Sequence, residues 1–292
     1  MKLSGAIESS KYSYLQYVPD QYLPKKILIT KDTPIKKIEQ LLKTHLLEYP
    51  LIAKPDTGLR GLEIEVITQT NELLNYLKRV SRTDILIQEF IEHPIELGIL
   101  YSKTPLNNHK KVSSVTLKEF LSITGDGVST FRALLSKNIR AEKQFDFFKI
   151  KYQSLWDTVI DEGKTIRVEP IGNHNRGTKF VNANLLITPK LVAVVDEIVK
   201  HIPGFYYGRI DLKAQSIRKL MNGEEIRVLE INGVNSEPTH IYDSNTTLVS
   251  AYNDIFSHMN TIYEISKQNK TQGEKRDSLK TLLKETHKHF SY

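Results

Sequence analysis

Two short stretches, Gly208-Arg209-Ile210-Asp211 and Leu229-Glu230-Ile231-Asn232, decide how this chain is interpreted. The segments around them, 205–212 and 226–231, are rich in β-branched and aromatic residues and are therefore predicted to be strands. Alternate side chains of a strand point to one face of the sheet. Arg209 and Asp211 should thus share one face, and Glu230 and Asn232 should share a face of the other strand.

The segment between the two strands contains Asn222-Gly223, a pair that suits the turn of a hairpin. If the polar faces of the strands align, Asp211, Glu230 and Asn232 converge. Two carboxylates and an amide oxygen suit Mg²⁺, which takes oxygen ligands and often completes its shell with phosphates. Taken singly, each residue is typical of a solvent-exposed strand face; taken together, they favour a metal site.

The GRID and LEIN strands resemble the metal-binding end of the ATP-grasp carboxylate–amine ligases, which include the D-alanine–D-alanine ligases. The resemblance implies an α+β ATP-grasp fold, with the nucleotide held between a small lid and a larger sheet-based core. It implies Asp211, Glu230 and Asn232 as ligands of two Mg²⁺ ions, with Mn²⁺ as a substitute. It also implies that Arg209 contacts the transferring phosphate or the acyl phosphate.

Upstream, residues 49–55 are predicted to form a buried strand that contains Lys54, and a loop with two glycines follows at 56–61. Glycines let backbone N–H groups approach phosphate oxygens, and a lysine supplies a point charge for them. The spacing is not that of a Walker A loop, and a plain turn after a strand would look the same. The resemblance to the ATP-grasp lid implies that nucleotide phosphates contact Lys54, Gly58, Arg60 and Gly61, with Lys54 also taking part in catalysis.

A second predicted strand, residues 85–91, runs into the segment 94–98 and resembles the hinge between lid and core. The resemblance implies that Gln88, Glu89 and Ile91 lie at the adenine and that Glu96 binds the ribose. Glu89 and Glu96 also fit an ordinary role as charged residues at a strand end.

The family uses an earlier lysine on the phosphates, a short helix before a Leu-Pro pair. Lys11 stands at about that distance before Leu23-Pro24. Other lysines compete for this role, namely Lys25, Lys26 and Lys31.

Two further segments narrow the resemblance. Residues 123–131 (ITGDGVSTF) resemble an insertion in cyanophycin synthetases and in the ATP-grasp half of fused glutathione synthetases. Residues 171–178 (IGNHNRGT) resemble the Asn-x-x-Arg-Gly loop of the glutamate ligases that modify ribosomal proteins, which implies a catalytic role for Arg176 on the acceptor side. His174 fits either a general base or a structural loop histidine.

The amino-acid composition limits the classes of function and the cellular location that the chain can have. The chain has 292 residues, a formal net charge of +7 and no cysteine, which excludes disulfides, thiolate nucleophiles and cysteine–zinc sites. The N-terminus lacks the apolar core of a secretory signal, and no apolar run approaches the ~20 residues of a membrane span. We therefore expect a cytoplasmic protein without a membrane partner. The lysines are scattered, so the charge favours an anionic nucleotide and an acidic substrate as much as a nucleic acid.

The predicted helices and strands, together with the resemblance, divide the chain into four segments. These are a short N-terminal segment 1–27, a lid 28–90, a catalytic core 91–266 and a basic helical tail 267–292. Residues 268–274 are polar and are predicted to form a linker. The family normally has a substantial folded domain before the lid, whereas only 53 residues precede Lys54. The chain therefore departs from D-alanine ligases where those enzymes set substrate identity.

The function predicted by the resemblance is ATP-dependent ligation of a carboxylate to an amine through an acyl phosphate, with amino acids or peptides as substrates. Two other functions stay open. An ATP-binding regulatory or scaffold protein would retain the signature without turnover, and a nucleic-acid-binding protein would show affinity that falls steeply with salt. The sequence also leaves open a homodimer.

Overall fold

The computed structural model describes residues 5, 10–57, 63–275, 278, 280, 281, 283 and 284. The described chain forms two compact units, the first from residues 1–117 and 182–292 and the second from residues 118–181. Within the described residues, no helix is both long and apolar enough to cross a membrane.

The helices and strands alternate irregularly along the chain. The α-helices of the described residues are α1 (Lys11–Leu15), α2 (Ile38–Thr44), α3 (Thr70–Arg79), α4 (Phe131–Ser136), α5 (Phe145–Lys151), α6 (Pro189–Val199), α7 (Ile217–Met221) and α8 (Leu248–Thr271). The strands are β1 (Lys26–Ile29), β2 (Leu51–Pro55), β3 (Glu65–Ile67), β4 (Ile85–Glu89), β5 (Ile95–Lys103), β6 (Lys110–Glu119), β7 (Ser122–Thr124), β8 (Thr165–Arg167), β9 (Lys179–Asn182), β10 (Tyr207–Ala214) and β11 (Ile226–Asn232).

The smaller sheet of the first unit is antiparallel and has the strand order β1-β4-β2-β3. Apolar residues of α2 and α3, including Leu42, Leu73 and Tyr76, are buried in one core with Leu51 and Ile87 of the sheet. An amphipathic helix buries its apolar stripe in this way. The strands predicted near 50–54, 63–67 and 85–89 therefore form one small α+β layer, as expected.

The larger sheet places β11, β10, β5 and β6 side by side. Helix α6 belongs to its core, where Leu191, Val195 and Ile198 are fully buried. The start of α6 follows the predicted capping pattern, because the Thr188 hydroxyl accepts a hydrogen bond from the Leu191 N–H at 3.2 Å and Pro189 occupies the first turn. This core holds the polar face of β10 in place.

The second unit has its own aromatic core, built around Phe131, Phe148 and Trp156. Its Thr-Gly-Asp-Gly segment forms a tight turn in which the Asp126 carboxylate accepts hydrogen bonds from the N–H groups of Val128 and Ser129. A side chain at Gly125 would lie 2.1 Å from a backbone oxygen, so only glycine fits there. The resemblance of this turn to cyanophycin synthetases stays a prediction.

Two local predictions were wrong. Asn222-Gly223 does not form a hairpin turn, because α7 lies between β10 and β11 and Gly223 ends that helix with a φ of +73°. Residues 268–274 are not a linker from their start, because α8 continues to Thr271. A polar composition does not stop a helix that contains neither glycine nor proline before its end.

Candidate functional site

Strand β10 presents alternating polar residues on one face. Arg209, Asp211 and Lys213 lie on that face, while Ile210 and Leu212 are fully buried in the core on the other. In the antiparallel register with β11, Arg209 lies opposite Asn232 and Asp211 lies opposite Glu230. The two polar faces are therefore aligned, as the alternation predicted.

Asp211 lies at the centre of this face and is 5% exposed. Arg209 donates to its carboxylate from Nε at 3.1 Å and from Nη2 at 3.2 Å, and the Asn232 amide donates at 3.2 Å. Burial opposes the charge of the Arg209 guanidinium, but the Asp211 carboxylate raises the pKa of Arg209. A side chain at Gly98 would lie 3.0 Å from Asp211 Oδ1, so a glycine keeps this space open.

A bulge in β11 connects this face to Lys54. The register changes between Asp211 and Leu212, which leaves Leu229 without a partner residue in the pairing with β10. The Lys54 ammonium donates to the Leu229 carbonyl at 3.0 Å, so the lysine reaches the strand that carries Glu230. Burial lowers the pKa of Lys54 to about 8, the nearby Lys11 acts in the same direction, and the carboxylates of Glu230 and Asp211 oppose the shift.

Lys11 lies beside Lys54 through the end of β2. Its ammonium donates to the carbonyls of Pro55 and Asp56, each at 3.3 Å, and its own N–H donates to the Asp56 carbonyl. The Asp56 carboxylate, only 4% exposed, accepts from the N–H of Tyr12 at 2.8 Å. Two lysines predicted to bind phosphates are thus buried close together, a costly arrangement that an anionic ligand would relieve.

The end of β4, the start of β5 and the segment between them carry the residues predicted at the adenine and ribose. Gln88 is 2% exposed, and its Nε2 has no hydrogen-bond partner within the described part of the chain. Glu96 is buried next to Lys213, whose ammonium lies 3.8 Å from the Glu96 carboxylate and donates to the Ile91 carbonyl at 2.8 Å. Lys213 of β10 therefore contacts both Ile91 and Glu96 of the segment predicted to be the hinge.

Glu89 has a different environment from Gln88. Its carboxylate accepts a hydrogen bond from the backbone N–H of Lys25 at 3.2 Å, at the end of the β1–β4 pair. This contact supports the ordinary strand-end role that the sequence left open. A role at the adenine stays a prediction for Glu89.

Arg176 belongs to the second unit, where it lies next to a buried carboxylate. The guanidinium is 3.7 Å from Glu169 Oε1, and the Lys151 ammonium is 3.5 Å from Glu169 Oε2. Gly177, with a φ of +92°, closes the turn that carries Arg176. Partial burial and the nearby Arg140 lower the pKa of His174.

The predicted phosphate-loop residues Gly58, Arg60 and Gly61 lie outside the described residues, so their role stays a prediction. The described residues contain no group of three or more His, Asp or Glu side chains arranged to hold a metal. The proposed ligand set therefore consists of the two carboxylates of Asp211 and Glu230 and the amide oxygen of Asn232. This set has the oxygen chemistry that Mg²⁺ takes, and the unpartnered amide of Gln88 and the buried lysines fit a nucleotide.

Two residues of this site were missed by the sequence interpretation. Lys213 follows Asp211 by two residues on the same strand, so the alternation that predicted Arg209 and Asp211 could have found it. Asp56 stands two residues after Lys54, but no pattern indicated that it holds the start of α1.

Replacing Lys54 by methionine is expected to flatten the pH dependence of stability. The unfolded chain has the ordinary lysine pKa near 10.5 and binds more protons than the fold between about pH 8 and 10.5, so the wild-type free energy of unfolding rises with pH in that window. Lys54 should account for a rise on the order of 3 kcal/mol.

Urea unfolding below and above this window measures the rise. Lys137→Met is a matched control, because that lysine side chain is 65% exposed. An equal rise in wild type and Lys54→Met would contradict the buried-lysine account.

Solved structures similar to this chain include several ligases. D-alanine–D-alanine ligase from Bacillus anthracis is 14% identical with a TM-score of 0.51, and the match covers 91% of this chain and 69% of that enzyme. VanG D-Ala:D-Ser ligase from Enterococcus faecalis is 15% identical with a TM-score of 0.49, over 88% of this chain and 61% of the enzyme. D-alanine–D-alanine ligase from Helicobacter pylori is 14% identical with a TM-score of 0.47, over 91% of this chain and 61% of the enzyme.

No family model matches the chain, and no curated protein matches it by sequence. At such low identity, the similarity to the Bacillus anthracis enzyme concerns the fold, and the chain spans only 69% of that enzyme. The architecture is the one that the GRID and LEIN strands predicted: the chain has the ATP-grasp fold of the D-alanine–D-alanine ligases.

Proposed function

We propose that this protein is an ATP- and magnesium-dependent carboxylate–amine ligase. One observation carries the proposal: on an ATP-grasp fold, Asp211, Glu230 and Asn232 are brought together with Arg209, and buried Lys54 reaches the same strand through the Leu229 carbonyl. A fold alone does not imply a function. The site adds the oxygen ligands and the cations that phosphate transfer requires.

The proposed reaction has two steps. A carboxylate oxygen of the first substrate attacks the γ-phosphorus of ATP, which forms an acyl phosphate and releases ADP as the leaving group. The amine of the second substrate then attacks the acyl carbon and forms the C–N bond. The bond to inorganic phosphate breaks, and the amine gives up one proton to the departing phosphate or to solvent, which leaves an amide. No protein nucleophile is required, so the protein contributes positioning and charge.

Each residue has a role in this proposal. Lys11 and Lys54 neutralise the ATP phosphates, and Arg209 binds the transferring phosphoryl group, for which its planar fork is suited. Gln88 and Ile91 hold the adenine, and Glu96 holds the ribose. Magnesium, held by Asp211, Glu230 and Asn232, would neutralise phosphate charge. Arg176 is proposed to bind the acceptor or the acyl phosphate.

The proposed substrates are amino acids or short peptides. The Bacillus anthracis protein is a ligase of D-alanine with D-alanine, which is the basis for this choice. At 14% identity this similarity concerns the fold alone, so D-alanine itself is not proposed.

The test is a screen for ADP release with pairs of amino acids and dipeptides, with mass spectrometry of the products. We expect ADP, phosphate and an amide product that all require the same pair, with at most about a hundredth of the product from Asp211→Asn. An ATP-binding regulatory protein would instead bind ATP and release no ADP with any pair.

Variants of Lys54 and Glu96 should separate phosphate binding from nucleoside binding. Lys54→Ala is expected to weaken ATP about tenfold or more and leave adenosine unchanged, because a lysine beside phosphates acts as a point charge. Glu96→Ala is expected to weaken both ligands, because its carboxylate is proposed to bind the ribose.

Isothermal titration calorimetry with ATP and with adenosine measures both affinities. Glu92→Ala, a change at a neighbouring exposed glutamate, is the control for Glu96→Ala. If Lys54→Ala lost as much adenosine affinity as Glu96→Ala, the proposed division of roles would be wrong.

A further inference from the structure

Helix α8 presents a stripe of large apolar side chains to solvent. The stripe consists of Val249, Tyr252, Phe256, Met259 and Tyr263, which are 71%, 54%, 60%, 58% and 65% exposed. The intervals along the helix are three, four, three and four residues. This is the spacing of the contact seam in a coiled coil, where such residues line up along one side of the helix.

The same helix is anchored to its own unit by a different face. Ile265 and His258 are buried, and Ile265 belongs to a small cluster with Leu100 and Tyr207. The Tyr207 hydroxyl and His258 Nδ1 are 3.0 Å apart. The helix is therefore held in place without using the stripe, which remains accessible among the described residues.

Along α8 itself, few charged residues stand beside the stripe, whereas His109, Lys111 and Glu264 line the surface next to Phe256. The single carboxylate between Leu248 and Tyr263 is Asp254, which lies on the anchored side, 3.1 Å from His240 Nε2. The exposed neighbours of the stripe are small polar residues, namely Ser250, Asn253, Ser257 and Asn260. A helix face that remains in water usually carries charged residues. A partner helix on the stripe would therefore meet apolar and small polar side chains of α8, with charged side chains at the edge near Phe256.

The area of the stripe fits a small stable interface. Aromatic side chains bury about 150–250 Å² each, and the stripe contains three of them together with a valine and a methionine, so each chain would bury on the order of 500 Å². Two copies would bury about 1,000 Å² in total, which is where specific interfaces begin.

We propose that the stripe on α8 pairs with the same stripe of a second copy of this chain, and that the two helices run antiparallel. A stripe of this kind is self-complementary, as a twofold interface requires. In the antiparallel register that places Phe256 against Met259 of the partner subunit, Tyr252 lies against Tyr263 of the partner subunit. Sulfur–aromatic and aromatic pairs of this kind are favourable.

Charge at the C-terminal end of the helix selects the antiparallel direction. Lys267 and Lys270 lie in the last turns of α8, just beyond the stripe. A parallel pair would place these lysines next to their own copies, and like charges at such a distance destabilise. The antiparallel pair moves the two sets of lysines to opposite ends.

The test is the mass of the full-length protein by sedimentation velocity and light scattering. We expect a dimer for the wild type at about 100 µM, above the Kd of a micromolar interface. Phe256→Glu and Met259→Lys each introduce a charged side chain into the apolar stripe. Both variants should therefore be monomers, and their circular dichroism should be unchanged. Leu185→Glu is the matched control, because Leu185 is fully exposed outside the stripe and its replacement should leave the dimer intact.

A wild type that is monomeric at this concentration would overturn the proposal and would indicate that something other than a second copy covers the stripe. A dimer that survives in both charged variants would overturn it as well, because the contact would then lie elsewhere.

Spin labels test the direction of the pair, because the chain has no native cysteine. Single labels at Ser250→Cys and Ser266→Cys lie near opposite ends of the stripe. The antiparallel pair gives label-to-label separations of about 25 Å at both positions, whereas a parallel pair gives about 10 Å at both. Short separations at both positions would overturn the antiparallel arrangement.

Discussion

Asp211→Asn is expected to lower ligase turnover by at least about a hundredfold at saturating magnesium. The variant keeps the shape of the side chain but removes its charge from the centre of the polar face, where Asp211 contacts Arg209 and Asn232. A neutral amide oxygen binds Mg²⁺ less well than a carboxylate. Near wild-type activity would show that Asp211 is not a metal ligand.

Folding must be measured alongside this activity. The same change weakens the contact with the Arg209 guanidinium, which is only 21% exposed, and should destabilise the fold by about 1–3 kcal/mol. Thermal unfolding of the variant defines a temperature at which it is fully folded for the assay. Asp161→Asn, at a carboxylate that is 84% exposed, is the control and should change neither property.

Arg209→Lys is expected to lower turnover about a hundredfold while the Kd for ATP changes by less than about threefold. The loss of a transition-state contact costs on the order of 3 kcal/mol. A lysine keeps the charge but lacks the fork with which Arg209 donates from Nε and Nη2. Steady-state kinetics and equilibrium ATP binding measure the two quantities separately.

Because Arg209 contacts Asp211, a loss of turnover in Arg209→Lys could also arise from a misplaced Asp211. Magnesium dependence separates this explanation from a direct contact with the phosphate. If Arg209 only positions Asp211, excess magnesium should restore most of the turnover of Arg209→Lys. If Arg209 contacts the transferring phosphate, magnesium should not restore it. Arg132→Lys is the control, because its guanidinium pairs with Asp157 at an exposed position of the second unit. Normal turnover in Arg209→Lys would show that Arg209 is an ordinary strand-face residue without a part in catalysis.

Much of this site could be predicted because it depends on local alternation. Strand propensity placed β10 and β11 within about two residues of their observed limits, and a period of two fixed which side chains share a face. The turn chemistry between these strands was predicted wrongly, because Asn222-Gly223 suits both a hairpin and the end of a helix. The roles of Gly58, Arg60 and Gly61, which lie outside the described residues, stay predictions.

The sequence by itself determined the strands and their polar faces, because both follow from residues close together in the chain, and the resemblance of these strands to a known family predicted the ATP-grasp fold. The tertiary structure decided which distant groups meet those faces. Lys54 and the Leu229 carbonyl are 175 residues apart in sequence, and Lys213 and the Ile91 carbonyl are 122 residues apart. Such contacts depend on strand register, on the bulge at Leu229 and on how the sheets pack. No local periodicity encodes them, because they form only when the core has brought the segments together.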